Sequence, residues 1–100
     1  MAPQNREEVI KTLQENRTAI QKFGVLRLGL FGSIARGEGG AASDLDFLVE
    51  LKKNTFDAYM DLKFFLEGLL HCSVDLVLSG SVKPALRDRI LKETVYVPGL

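Results

Sequence analysis

The sequence has one cysteine and no excess of either charge. Because Cys72 stands alone, the chain has no internal disulfide and no zinc site built from several cysteines. The 13 basic and 13 acidic residues give a formal net charge of zero. No overall field therefore draws the chain towards nucleic acid or a membrane surface, and we predict no direct binding of nucleic acid.

Long apolar stretches are also missing. The longest apolar runs fall far short of the ~20 residues that a membrane-spanning helix needs. The N-terminal segment MAPQNREEVI carries charges where a signal peptide would have its apolar part. We therefore expect a cytoplasmic protein, and we expect its 100 residues to form a single domain, residues 1–100.

Helical and strand patterns alternate along the chain. The predicted helices run from Asn5 to Phe23, from Asn54 or Thr55 to Leu70, and from Pro84 to Lys92. The predicted strands are 25–31, 45–51, 74–78 and, for a short fourth strand, 94–97. This order predicts an α/β (α+β) fold, with a small mixed β-sheet of three to four strands and helices packed mainly on one face.

Two aspartates stand at the start of the second predicted strand. Asp44 and Asp46 are two residues apart, and residues at this spacing point to the same face of a strand. Their carboxylates would repel each other unless a cation lay between them. Carboxylate oxygens are ligands that Mg²⁺ prefers, so this pair is a candidate magnesium site.

A third aspartate, Asp75, interrupts the apolar run VDLVL of the third predicted strand. A charge there would be costly to bury without a partner. If this strand lies beside the second, Asp75 completes a cluster of three carboxylates with Asp44 and Asp46. Such a cluster can hold two metal ions that assist displacement at phosphorus.

A candidate phosphate site follows the first predicted strand. Gly32 and Ser33 lie between that strand and a short helical turn, a place where free backbone N–H groups bind anions. Gly32 permits a phosphate to approach the backbone, and Ser33 adds a hydroxyl donor. Arg36 is available to stabilise charge or to hold the loop against the carboxylates. Gly29, inside the strand, indicates a close approach of backbone or a bulge.

Each of these signals has an ordinary structural explanation when it occurs alone. An Asp-X-Asp sequence is more often a turn or a helix cap than a metal site, Gly-Ser is weaker still, and a single strand aspartate usually lies at a sheet edge. Here the three signals occur together and in order. Their joint occurrence favours a site for phosphoryl chemistry.

The segments GSIARG (residues 32–37) and SDLD (residues 43–46), with VDLV at residues 74–77, resemble the signature of the DNA polymerase β-type nucleotidyltransferase superfamily. The variant is similar to its minimal nucleotidyltransferase (MNT) group. The resemblance implies that Asp44, Asp46 and Asp75 are the catalytic, metal-binding carboxylates, and that Gly32 and Ser33 bind the triphosphate. The chain departs from the family in the loop GGAA (residues 39–42), where relatives often carry polar or charged residues.

By this resemblance the protein uses two Mg²⁺ ions to move a nucleoside monophosphate, AMP from ATP, to a hydroxyl group. Minimal members resemble antitoxins whose partner is a helical HEPN toxin, and there the acceptor is a tyrosine hydroxyl of the partner. Two other functions stay open: a non-catalytic antitoxin that neutralises a partner by covering it, and an antibiotic-type transferase that modifies a small molecule.

A contact surface for a partner is also predicted. Met60 and Phe64 lie about 200° from Leu62 around an ideal helix, on the side away from its buried stripe. Apolar residues of this kind are enriched in interface cores. They would contact either a second copy or a toxin-like partner, unless a neighbouring helix covers them.

Overall fold

The computed structural model describes residues 5–32, 34–37 and 44–100. The four helices in this part of the chain are α1 (Arg6–Glu15), α2 (Arg17–Gln21), α3 (Phe56–Leu70) and α4 (Pro84–Glu93). The strands are β1 (Val25–Phe31), β2 (Leu45–Leu51), β3 (Val74–Leu78) and β4 (Val95–Tyr96), and a short 3₁₀ turn spans Ser79–Ser81. In the described residues no helix has the length and apolar character needed to cross a membrane.

The N-terminal helix begins as predicted but is broken in the middle. The Asn5 side chain accepts a hydrogen bond from the Glu8 N–H at 2.8 Å, which caps α1. The prediction of one continuous helix to Phe23 is wrong, because Asn16 separates α1 from α2 with φ −113° and ψ 17°. The Asn16 side-chain amide donates to the Thr12 carbonyl at 2.8 Å. Asparagine side chains compete in this way with the helical backbone pattern.

The four strands form one mixed sheet in the order β3-β2-β1-β4. β2 runs parallel to β3, whereas β1 is antiparallel to both β2 and β4. The crossover that a parallel pair requires is α3, whose N-cap Thr55 accepts from the Ala58 N–H at 3.2 Å. The predicted mixed sheet and fold class are confirmed.

The two faces of the sheet have different surroundings. Alternate residues of β2, from Leu45 to Leu51, join the hydrophobic core with side chains of α1, α2 and α3. The opposite face of β2 carries Asp46, Leu48 and Glu50. We call this second side the open face. Helix α4 borders it with no buried residue of its own, so the helices pack mainly on the other side, as predicted.

Candidate active site

The parallel pairing of β2 with β3 aligns two of the predicted aspartates. Asp46 is the direct partner of Asp75 in the register, just as Leu45 is the partner of Val74. Paired residues on adjacent strands point to the same face. Leu45 is 1% exposed in the core, so Asp46 and Asp75 both belong to the open face. Asp44 precedes β2 by one residue and is exposed.

Asp75 is not buried in its apolar strand. Its carboxylate was expected to be costly to bury, but Asp75 is exposed and β3 is an edge strand. An edge position was the ordinary explanation for such a residue. The cost of burial therefore says nothing about Asp75, and its alignment with Asp46 is what links it to the site.

Gly32 follows the last residue of β1 and lies directly beside Asp46. Its φ is +82°, a conformation that other residues rarely adopt. A Cβ placed on Gly32 would overlap the Asp46 carboxylate oxygen Oδ2 and would lie 3.1 Å from Cγ. The glycine thus leaves the space that the Asp46 carboxylate occupies, as well as supplying the turn. The predicted hydroxyl donor, Ser33, lies outside the described residues, as does the loop at 38–43.

A single helical turn follows Gly32. The Arg36 N–H donates to the Gly32 carbonyl at 3.1 Å and the Gly37 N–H to the Ile34 carbonyl at 3.0 Å. Ile34 and Ala35 are buried at 3% and 4% exposure, and these two side chains anchor the turn in the core. This turn is the one that the sequence predicted between strand and loop.

The Arg36 guanidinium forms an ion pair with Glu93, with 2.6 Å between Nη1 and Oε2. Glu93 is the last residue of α4, so the pair ties the end of that helix to the turn after β1. Burial and neighbouring carboxylates raise the pKa of Asp46, and the positive charge of Arg36 partly offsets that rise. Arg36 is thus held beside the site by its pair with Glu93. Its predicted role, to stabilise charge or to brace the loop onto the carboxylates, stays a prediction.

The aspartates influence one another electrostatically. Partial burial raises the pKa of Asp46, and the negative charges of Asp75 and Asp44 raise it further. In the described residues no three His, Cys, Asp or Glu side chains are arranged to hold a metal ion. The metal-binding role of the three aspartates therefore stays a prediction. Their oxygen donors and mutual repulsion are the features that a hard cation such as Mg²⁺ would suit.

This geometry can be compared with known proteins. The family model of the nucleotidyltransferase domain matches residues 7–97, from the second residue of α1 to just beyond β4. The chain belongs to the nucleotidyltransferase domain family. The expected family and the expected enzyme class are both confirmed.

Relatives of this nucleotidyltransferase domain match almost its whole length. The protein adenylyltransferase MntA of Thermococcus cleftensis is 36% identical over 99 residues, covering 97% of this chain and 100% of the relative. A solved structure, provisionally assigned as a minimal nucleotidyltransferase, has a TM-score of 0.72 and 38% identity over 86% of this chain and 93% of its own. A crystal structure of a toxin–antitoxin with AMP-PNP has a TM-score of 0.66 and 25% identity over 94% and 73% of the two chains.

Two residues that brace the site of this nucleotidyltransferase were missed in the sequence. Glu93 lies 57 residues from its partner Arg36, so no local pattern could reveal the pair. The Tyr59 hydroxyl donates to the Leu76 carbonyl at 2.6 Å, which fixes β3 next to Asp75. Tyr59 was visible as an apolar helix residue, but its hydroxyl contact depends on how α3 packs on β3.

Proposed function

We propose that the protein transfers AMP from ATP to a hydroxyl group on a partner protein. The observation that carries the proposal is the side-by-side register of Asp46 and Asp75, on the open face and next to the Gly32 turn. Acidic side chains beside a phosphate-binding turn suit displacement at phosphorus. The match to a protein adenylyltransferase over the relative's whole length supports a protein acceptor.

In the proposed reaction the acceptor oxygen forms a bond to the α-phosphorus, and the bond from that phosphorus to the bridging oxygen breaks. Pyrophosphate leaves with the electrons of the broken bond. Asp75 is exposed on the edge strand, where it takes the proton of the attacking hydroxyl as general base. Gly32, with Ser33 and the following backbone N–H groups, binds the triphosphate and orients it.

Asp44, Asp46 and Asp75 are the residues that would hold Mg²⁺. The ion supplies positive charge that stabilises the negative charge on the transferring phosphoryl group. Asp46 is kept in place for this task by the space over Gly32. Arg36 adds a positive charge near the same carboxylate, and Glu93 limits where its guanidinium can go.

The partner is proposed to be a toxin of the HEPN type, so that the protein acts as an antitoxin by modifying it. The support is the likeness to a chain of a toxin–antitoxin crystallised with AMP-PNP and to the protein adenylyltransferase MntA. Modification of a small molecule has no supporting observation of its own among the described residues.

The deciding experiment is incubation with α-³²P-labelled ATP and Mg²⁺, with and without the product of the neighbouring gene. We expect label on the partner protein, release of pyrophosphate, and loss of both in Asp46→Asn. Chelation of divalent ions is expected to stop the transfer. If the partner is neutralised without any label, the protein acts as a non-catalytic antitoxin and the proposed activity is wrong.

A further inference from the structure

A cleft of about 310 Å³ lies between α4 and the open face of the sheet. Its floor includes Leu48 and Glu50 of β2, which follow Asp46 along the same face. Two residues along a strand span roughly 7 Å. The cleft therefore begins roughly 7 Å from the proposed site of phosphoryl transfer, a distance that a ribose can span.

Arg27 and Tyr96, which form a cation–π pair, line one end of the cleft. The Tyr96 ring lies against Gly29, since a Cβ on that glycine would be 3.0 Å from Tyr96 Cδ1. The Arg27 guanidinium carbon lies 4.1 Å from the centre of the ring, a cation–π geometry. The groups that approach Gly29 are the side chains of Thr94 and Tyr96, whereas the sequence predicted a close approach of backbone or a bulge there. Both Arg27 and Tyr96 face the cleft.

The other walls combine apolar surface with polar side chains, among them the Glu50 carboxylate. Val82, Ile90 and Leu91 supply apolar wall from the α4 side. Among the described residues the Glu50 carboxylate has neither a hydrogen bond nor an ion pair with a protein group. Its oxygens are therefore available to a ligand that donates hydrogen bonds.

Helix α4 lies above this space, tied to the turn after β1 at its C-terminal end by the ion pair of Glu93 with Arg36. None of its residues is buried, and Leu91 is 45% exposed. The apolar side chains that line the cleft lack the dispersion contacts that close packing would provide. A flat ligand between α4 and the sheet would restore these contacts and hold the helix.

We propose that this cleft binds the base of the nucleoside triphosphate, a purine with an exocyclic amine, an inference that rests on the proposed function. The amine donates to the Glu50 carboxylate, and the ring lies against the apolar wall near Arg27 and Tyr96. Ribose and triphosphate then extend along β2 towards Asp46 and Gly32. The adenine of ATP has the required amine.

The dimensions favour a base over a segment of the acceptor protein. A volume of about 310 Å³ is at the small end of the usual range for small-molecule sites, ~300–1,000 Å³. Mixed lining with a few polar groups is also typical of such sites. The acceptor would approach from the side of Asp75, which lies on the edge strand β3, whereas Arg27 and Tyr96 lie on β1 and β4.

The test compares the α,β-methylene analogues of ATP and ITP, which cannot transfer their nucleotide. The base of ITP carries a carbonyl where adenine carries its amine. We expect the wild-type protein with Mg²⁺ to bind the ATP analogue more tightly. Glu50→Gln should weaken that binding about tenfold, as loss of a charged hydrogen-bond partner does, and should strengthen binding of the ITP analogue. Affinity for inorganic triphosphate should not change.

Asp61→Asn is the matched control, because Asp61 is an exposed carboxylate on α3, outside the cleft. It should leave all three affinities as in the wild type. Hydrogen exchange is a second measurement: the ATP analogue should slow exchange of α4 amides, and inorganic triphosphate should not. Exchange in α4 that does not respond to the ATP analogue would contradict the proposal.

The outcomes separate this inference from the proposed function. If Glu50→Gln lowers both nucleotide affinities equally, or neither, the base lies elsewhere and the inference is wrong. If Glu50→Gln raises the KM of the acceptor protein instead of the KM of ATP, the cleft binds the acceptor. If Glu50→Gln reverses the preference between the ATP and ITP analogues but the wild type transfers no label, binding of the base in the cleft is supported and the transferase activity is overturned. A wild type that binds neither analogue would overturn both.

Discussion

The carboxylate of Asp46 lies in the space that a side chain on Gly32 would fill. Gly32 follows β1 with φ +82°, and a Cβ there would overlap Asp46 Oδ2. The proposed phosphate-binding turn and the proposed metal-binding aspartate thus share one space. A change at either residue disturbs both parts of the site.

We therefore expect Gly32→Ala to lose nucleotidyl transfer and some stability. Alanine at positive φ costs roughly 1–2 kcal/mol, and its methyl group would displace the Asp46 carboxylate. Thermal unfolding and the labelled-ATP assay measure the two effects. The control is Gly68→Ala in the interior of α3, where a Cβ meets nothing within 4 Å. That change should raise stability by about 0.5–1 kcal/mol. Full activity of Gly32→Ala would contradict the arrangement.

Asp44→Asn and Asp46→Asn should each abolish transfer without unfolding the protein. Both changes remove negative charge needed at the metal, while they also relieve repulsion among the aspartates. The melting temperature at neutral pH should be equal or higher. A loss of several kcal/mol with loss of the fold would show that these residues are structural.

The pH dependence of this stability difference follows from the raised pKa of Asp46. Because the folded pKa exceeds the unfolded one, the ionised carboxylate destabilises the fold above the folded pKa. As pH falls below the ordinary aspartate pKa, both states become protonated and the penalty disappears. Asp46→Asn should therefore gain stability relative to the wild type at neutral pH but not in acid, as measured by melting temperature against pH. A gain that persists in acid would not come from this charge.

Arg36→Gln should raise the pKa of Asp46 further, because the Arg36 charge lowers it in the wild type. The midpoint of the Asp46 carboxyl titration should shift to higher pH, and NMR of the Asp46 carboxyl carbon can follow this shift. The effect on stability should be small, about 1 kcal/mol or less, since the Arg36 side chain is 43% exposed in its pair with Glu93. An Asp46 titration that stays in place would mean that Arg36 has no electrostatic role here.

The partner surface predicted on α3 is open in the structure. Phe64 is 59% exposed and Phe56 is 76% exposed, while Met60 between them is half-buried. The double change Met60→Gln with Phe64→Ser should weaken association with a partner or second copy by about 2 kcal/mol or more. Calorimetry and sedimentation measure this, and binding of Mg·NTP should persist.

The matched control for this surface is Leu26→Gln, a change at a 45% exposed leucine of β1. It should leave association as it is in the wild type. If the double variant on α3 unfolds, or associates as strongly as the wild type, α3 is not the contact surface.

Local sequence patterns predicted much of the fold. The three main strands have the predicted bounds, because each is a short apolar run with turn residues on both sides. The cap Asn5 was also visible, and the cap of α3 was limited to Asn54 or Thr55, of which the structure shows Thr55, since capping depends on neighbours three residues away. The break at Asn16 was not, because the competition between its side chain and the helix has no fixed outcome in sequence.

The sequence by itself determined the family, the strands and the aspartates that belong to the candidate site, because all of these depend on residue type and short spacing. Only the tertiary structure decided that Asp75 is the direct neighbour of Asp46, that Glu93 pairs with Arg36, and that α4 leaves a cleft over the open face. These features depend on strand order and on how separate elements pack. Contacts of that kind join residues far apart in the chain, and no local pattern specifies them.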